Sequence, residues 1–161
     1  LLVGMMGCAV GVGMGLALAL PHRQVIVLDS DGSVLLSLFI LATLGNLRPK
    51  NLVVYVFDNV VYSGSRISYP TATAGTTDLE AMARGAGIKK ALTIRDVETF
   101  KKDGLGALEQ NELAFIVCKV EESLLHREIP RPTTDLAENK YTFVRYLERT
   151  EGKSVPFIGR G

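Results

Sequence analysis

Three uninterrupted apolar runs constrain this chain most: VIVLD at 25–29, LVVYVFD at 52–58 and LAFIVCKV at 113–120. A strand with one wet face alternates apolar and polar residues. These runs do not alternate, so they read as strands buried on both faces, the habit of parallel sheets. The spacing between them leaves room for helices to cross over and return parallel neighbours. Helices are expected over 33–44, closed by GNLRPKN, from Thr77 or Asp78 to about Gly85, and from Asp96 to about Gln110. A further short strand, ALTI at 91–94, precedes the last of these. The expected fold is α/β, an open, mainly parallel sheet with helices on both faces.

The opening stretch LLVGMMGCAVGVGMGLALAL carries no charge and matches a membrane span in length. Its crowd of glycines and the lack of a basic flank argue for a helix at about 7–20 packed tightly in a core, not for a span or a signal peptide. GVGMG at 11–15 has no strand before it and reads as helix packing, not as a dinucleotide loop. A net charge of +1 over 161 residues gives no electrostatic case for nucleic acid or an anionic membrane. With 47% hydrophobic residues the chain suits a buried core and small-molecule or protein partners. Cys8 and Cys118 show no CxxC spacing and read as free thiols, which fits a cytoplasmic protein. The charged, proline-bearing stretch 121–161 reads as a surface extension of one domain spanning 1–161, with a short helix near 142–149. His22 and His126 adjoin arginines in polar turns and read as surface residues.

The chemistry concentrates where strands end. VLDSDGS places Asp29 and Asp31 at the close of the first strand, and the second strand runs into Asp58 and Asn59. In open parallel sheets ligands bind beyond the carboxyl ends of the strands. Asp31 and Asn59, 28 positions apart, can therefore converge. A carboxylate, an amide oxygen and backbone carbonyls make a hard oxygen set, suited to Mg²⁺ or Ca²⁺ and not to zinc. A helix opening at Ser33 would turn free N–H groups to the same place, which favours phosphate. Acid, Gly, Ser, helix start and a second strand ending in Asn together describe a metal-bridged diphosphate site.

SDGS followed by Asn59 resembles the thiamine diphosphate signature, in which Gly-Asp-Gly-Ser precedes an Asn-Asn pair. The resemblance implies that Asp31, the Asn59 side chain and the Val61 carbonyl bind the metal. Ser33 and the backbone around Gly32 and Tyr62 to Ser63 would hold the diphosphate. GMMG at 4–7 resembles the family's entry to its pyrophosphate domain, so that Gly4 and Met6 would meet the aminopyrimidine, Met6 as a flexible wedge. The run PTATAGTTDLEAMARGAGIKKALTI most resembles the sulfopyruvate and phosphonopyruvate decarboxylases. That implies non-oxidative decarboxylation of a 2-oxoacid with thiamine diphosphate and Mg²⁺ (or Ca²⁺), this chain acting as a β-type subunit of a carboxy-lyase.

Three departures accompany the resemblance. Ser30 stands where the family has its first Gly, and Asp58 replaces the first Asn of the pair. The loop reads YSGSR where family members tend to have YGSTG, and its Arg66 reads either as a solvated residue or as a partner for a substrate sulfonate or phosphonate. Nothing resembles the pyrimidine-binding domain with its activating glutamate. The resemblance therefore implies a partner, a pyrimidine-binding domain or α-type subunit, and an oligomer. Two alternatives stand beside it. VIVLDSDGS also resembles the first motif of haloacid-dehalogenase-type phosphatases, with Asp29 as nucleophile and Asp31 as acid/base. The other alternative is a non-catalytic subunit of the thiamine fold.

Overall fold

The computed structural model describes residues 1–62, 69–121 and 135–154. They fall into two compact units, Met5–Leu124 and the pairing of Leu1–Gly4 with Leu125–Gly161. Arg66 and His126 lie outside the described residues, whereas His22 is exposed.

The larger unit is built on four parallel strands, β1 (Val25–Ser30), β2 (Leu52–Asp58), β5 (Lys90–Ile94) and β6 (Ala114–Lys119), in the order β1-β2-β6-β5. A two-residue antiparallel ribbon, β3 (Val61–Tyr62) with β4 (Tyr69–Pro70), sits after β2. The strands fall where the apolar runs predict them. In β2, Leu52, Val54 and Val56 belong to one buried cluster while Val53 and Tyr55 belong to the other. That is what period-two alternation between two covered faces requires. Strand β1 differs: Val27 is buried, but Ile26 is 48% and Leu28 65% exposed. Burial on both faces thus holds for the central strands β2 and β6 and not for β1.

Helices α1 (Ala9–Ala19), α3 (Phe39–Leu47) and α4 (Leu79–Gly85) contribute to the first cluster, through Val10 and Ala17, Leu41 and Leu44, and Leu79 and Ala83. Close approach explains the glycines of α1. A Cβ on Gly13 would lie 2.1 Å from Val27 Cγ2, so any larger residue would push the helix off β1. At 11 residues α1 is too short to span a bilayer, and no described helix is long and apolar enough to do so. Asp78 caps α4, its Oδ1 accepting from Ala81 N at 2.9 Å, as TTDLE predicts.

Two helices differ from expectation. The segment 33–44 is two helices: α2 (Asp31–Leu35), then turns, then α3. The other face of the sheet is covered by an irregular helix over 97–106, α5 (Val97–Thr99) running into a π-helical turn at Phe100–Gly104. It stops short of Gln110. The Tyr55 hydroxyl donates to the Gly104 carbonyl at 2.8 Å, and the Phe100 ring packs against Tyr55 with centroids 5.8 Å apart. A helix carbonyl drawn toward a strand side chain accompanies the widened turn. Both cysteines are free, and burial pushes the Cys118 thiol up.

The smaller unit carries α6 (Leu136–Glu151), longer than the 142–149 helix expected, because Asp135 caps it by accepting from Ala137 N and Glu138 N. Asn139 fastens the segment Leu1–Gly4 to it in both directions, donating to Leu2 O at 2.8 Å and accepting from Leu2 N at 3.2 Å. Gly4 packs against Leu136, which a Cβ would approach to 2.4 Å.

Candidate metal and diphosphate site

Strands β1 and β2 are in parallel register, Ser30 opposite Phe57, so their carboxyl ends open at one edge of the sheet. Asp31, first residue of α2, follows β1 there, and Asp58 closes β2. Both carboxylates are fully buried, Asp31 at 0% and Asp58 at 1% exposure. Burying ionised acids is costly without partners, and the partners are present. Asp31 Oδ2 accepts from Thr71 Oγ1 at 2.6 Å and Thr73 Oγ1 at 3.1 Å. Thr73 Oγ1 also lies 2.8 Å from Asp58 Oδ1, and Lys119 Nζ forms an ion pair with Asp58 Oδ2.

The other oxygen of Asp31 faces the chain beyond β2. There the end of the Asn59 amide lies 3.2 Å from Asp31 Oδ1 and 3.0 Å from the Val61 carbonyl. With nitrogen at that position the amide donates to both. With its oxygen there, it accepts from Val61 N at 3.4 Å and stands beside two further oxygens, an oxygen set that a cation could join. The structure thus brings Asp31, Asn59 and Val61 together. Among the described residues no three His, Cys, Asp or Glu side chains gather, so the donor set is a mixed oxygen set and not a zinc-type cluster.

A strained turn produces this convergence. Val60 has φ of 60°, a left-handed conformation that a β-branched residue rarely adopts. The turn is held by Asp58 Oδ1, which accepts from Val60 N at 3.2 Å, and by Thr71 N, which donates to Val60 O at 2.9 Å. Strain over-determined by its surroundings in this way is the mark of a functional constraint.

Of the residues expected at the diphosphate, Gly32, Ser33 and Tyr62 group around α2. Ser33 Oγ accepts from Gly7 N at 2.8 Å, tying the GMMG stretch to α2. Gly32 lies under the Tyr62 ring, where a Cβ would come within 2.6 Å of Tyr62 Cε1. Ser63 lies outside the described residues. Met6 is 51% exposed, free to meet a ligand. Gly4 belongs to the smaller unit and is packed on Leu136, so Gly4 and Met6 fall in different units. With five residues, α2 has little macrodipole, and the phosphate-binding capacity rests on the amides near Gly32 and the Ser33 hydroxyl.

The departures at Ser30 and Asp58 have physical accounts. Ser30 is the N-cap of α2, its Oγ accepting from Ser33 N at 3.3 Å, a task its extended backbone permits without glycine. Asp58 carries a charge where an amide is usual, and Lys119, its register partner on β6, matches that charge. Asp29 is not equivalent to Asp31: its Oδ1 accepts from Ser30 N at 2.9 Å, and its Oδ2 is buried without a partner. The residues missed by sequence reasoning are Thr71, Thr73 and Lys119. The threonines stood in plain view in PTAT, and Lys119 ends a buried strand, an unusual place for a lysine.

Comparison with known proteins agrees with this geometry. Residues 1–118 match the family described as thiamine pyrophosphate enzyme, C-terminal TPP binding domain. The chain is 35% identical over 152 residues to the sulfopyruvate decarboxylase subunit beta of Methanocaldococcus jannaschii, covering 92% of this chain and 77% of that protein. Over 88 residues it is 44% identical to the phosphonopyruvate decarboxylase of Streptomyces viridochromogenes, 55% of this chain but 21% of that one. The benzoylformate decarboxylase structure from Polynucleobacter necessarius shares the fold, with a TM-score of 0.57 and 23% identity over 76% of this chain and 25% of that one. Geometry and comparison meet on one conclusion: the chain belongs to the thiamine pyrophosphate enzymes, as a C-terminal TPP-binding domain.

Proposed function

We propose that this chain supplies the diphosphate- and metal-binding half of a thiamine diphosphate-dependent 2-oxoacid decarboxylase acting on sulfopyruvate or a phosphonopyruvate-like acid. The observation that carries the site is the convergence of Asp31 Oδ1, the Asn59 amide and the Val61 carbonyl at 3.0–3.2 Å. Asp31, Asn59 and Val61 would hold Mg²⁺, with Gly32, Ser33, Tyr62 and Ser63 on the diphosphate and Met6 toward the aminopyrimidine. Mg²⁺ suits such a set because it keeps open positions for phosphate oxygens. When bound, the cofactor supplies the electron sink that accepts the pair released as CO₂ leaves. The chain's own residues fix the cofactor's charged end: Asp31 offers the only carboxylate of the set, and Ser33 keeps its proton for a phosphate oxygen while accepting from Gly7.

The relatives' names support the substrate reading. Three are called sulfopyruvate decarboxylase subunit beta, and two phosphonopyruvate decarboxylase. The word subunit in those names supports a second chain, which would bring the pyrimidine-binding part and its glutamate. Exposed apolar side chains support the same reading: Met5 at 70%, Leu36 at 58% and Phe39 at 76% lie in the segments adjoining Gly7 and Ser33. The phosphatase alternative finds no support in the family match, and Asp31 is held by hydroxyls rather than set beside Asp29 as an acid/base partner.

The test is calorimetric. Thiamine diphosphate is expected to bind the chain only with Mg²⁺ present, and Asp31→Ala to lose that binding by at least about 100-fold, since it removes the set's sole charge. Equal binding in EDTA, or by Asp31→Ala, would overturn the site. With sulfopyruvate as substrate, the chain alone should release little CO₂; substantial turnover by the pure chain would overturn the half-site reading.

A further inference from the structure

We propose that Thr71, Thr73, Asp58 and Lys119 form a positioning relay that orients the Asp31 carboxylate toward the cation. The inference rests on Asp31 being the metal ligand and adds how it is aimed. A carboxylate can rotate and offer either oxygen. Here Oδ2 accepts from Thr71 Oγ1 at 2.6 Å and lies 3.1 Å from Thr73 Oγ1, which leaves Oδ1 turned to the Asn59 amide.

The type of partner matters as much as its place. A hydroxyl orients a carboxylate without cancelling its charge, whereas an ammonium on Asp31 would compete with the metal. The lysine is kept one carboxylate away. Lys119 neutralises Asp58, and the single Thr73 hydroxyl proton, shared between Asp58 Oδ1 at 2.8 Å and Asp31 Oδ2 at 3.1 Å, links the two carboxylates. The Thr71 and Thr73 hydroxyl oxygens lie 2.8 Å apart. Asp58 Oδ1 is the same atom that accepts from Val60 N, so the relay also holds the turn that presents Asn59 and Val61. The charge at Asp58, where an amide is usual, is thus put to use with Lys119 as its counterion. Partners that orient a ligand in this way typically tune metal affinity by about 10- to 100-fold.

The experiment measures Mn²⁺ affinity of the full chain by electron paramagnetic resonance, with thiamine diphosphate present, for the wild type and for Thr73→Val, Thr73→Ser, Thr71→Val, Lys119→Met and the paired Asp58→Asn/Lys119→Met. The two valine variants should each lose about tenfold or more in affinity and broaden the bound Mn²⁺ signal. Thr73→Ser should stay within a few-fold of wild type. Lys119→Met should weaken binding, and adding Asp58→Asn should restore it in part by removing the uncompensated charge. Thermal melts separate aiming from folding: a purely structural role would lower the melting temperature while leaving the affinity of the folded protein unchanged. Wild-type affinity in both valine variants overturns the relay, even with the site intact. No Mn²⁺ binding by the wild type overturns the metal site and the relay together.

Discussion

Two asparagines flank β2, and they live in opposite surroundings. Asn51, just before the strand, shares the two protons of Nδ2 among three carbonyls, those of Ala17 at 3.0 Å, Leu20 at 3.1 Å and Arg23 at 2.7 Å. It closes the end of α1 and the turn behind it, supplying protons that the last carbonyls of a helix lack. Asn59, just after the strand, stands between a carboxylate and a carbonyl. At the amino end every acceptor is neutral and an amide satisfies it. At the carboxyl end a buried charge is gathered with two neutral oxygens, and its own fixed partners are hydroxyls. The same side chain is structural in one place and a candidate ligand in the other, because the charge of its neighbours differs.

That contrast can be broken deliberately. The largest effect is expected from Asp31→Ala, which should abolish Mg²⁺-dependent cofactor binding in calorimetry while leaving the fold intact by circular dichroism. Gly13→Ala comes next: a Cβ 2.1 Å from Val27 Cγ2 should cost about 1–3 kcal/mol in a denaturant melt, with cofactor binding retained by the folded protein. Asn51→Ala should likewise cost about 1–3 kcal/mol, the penalty for carbonyls left unpaired, again without touching metal affinity. If Asn51→Ala weakened metal binding as strongly as Asp31→Ala, the two ends of β2 would not be separable. The smallest effect is expected at Val60. Asn tolerates the left-handed conformation, so Val60→Asn should stabilise the chain by up to about 1 kcal/mol, read as a raised melting temperature.

The strands were legible because burial on two faces leaves an apolar run that no other element of that length explains. The convergence of Asp31 and Asn59 was legible because a parallel sheet puts consecutive strand ends side by side, whereas Val61 was implied only by the family resemblance. The rest depended on pairing that sequence does not encode locally. Leu36 and Leu38 are good helix formers, yet the helix breaks there. Gly104 gives no sign that Tyr55, 49 residues away, will hold its carbonyl. Lys119 meets Asp58 only because β6, and not β5, lies beside β2. Exposure of Ile26 and Leu28 was equally hidden, since both are apolar and continue the run as residues of a covered face would.

The strand order β1-β2-β6-β5 has a consequence for how the chain assembles. Among the described residues, β6 is the last strand in sequence but enters the middle of the sheet, and β5 pairs with it alone. Until residues 114–119 are in place, β5 has no strand to join and β2 has one edge open. Contacts this distant in sequence close slowly, because the loop entropy is lost before any pairing repays it. The same step that seals the sheet brings Lys119 to Asp58. A chain arrested or truncated before β6 would therefore lack half its sheet and the counterion of its site at once, so that competence to bind the cation becomes a report on completed folding.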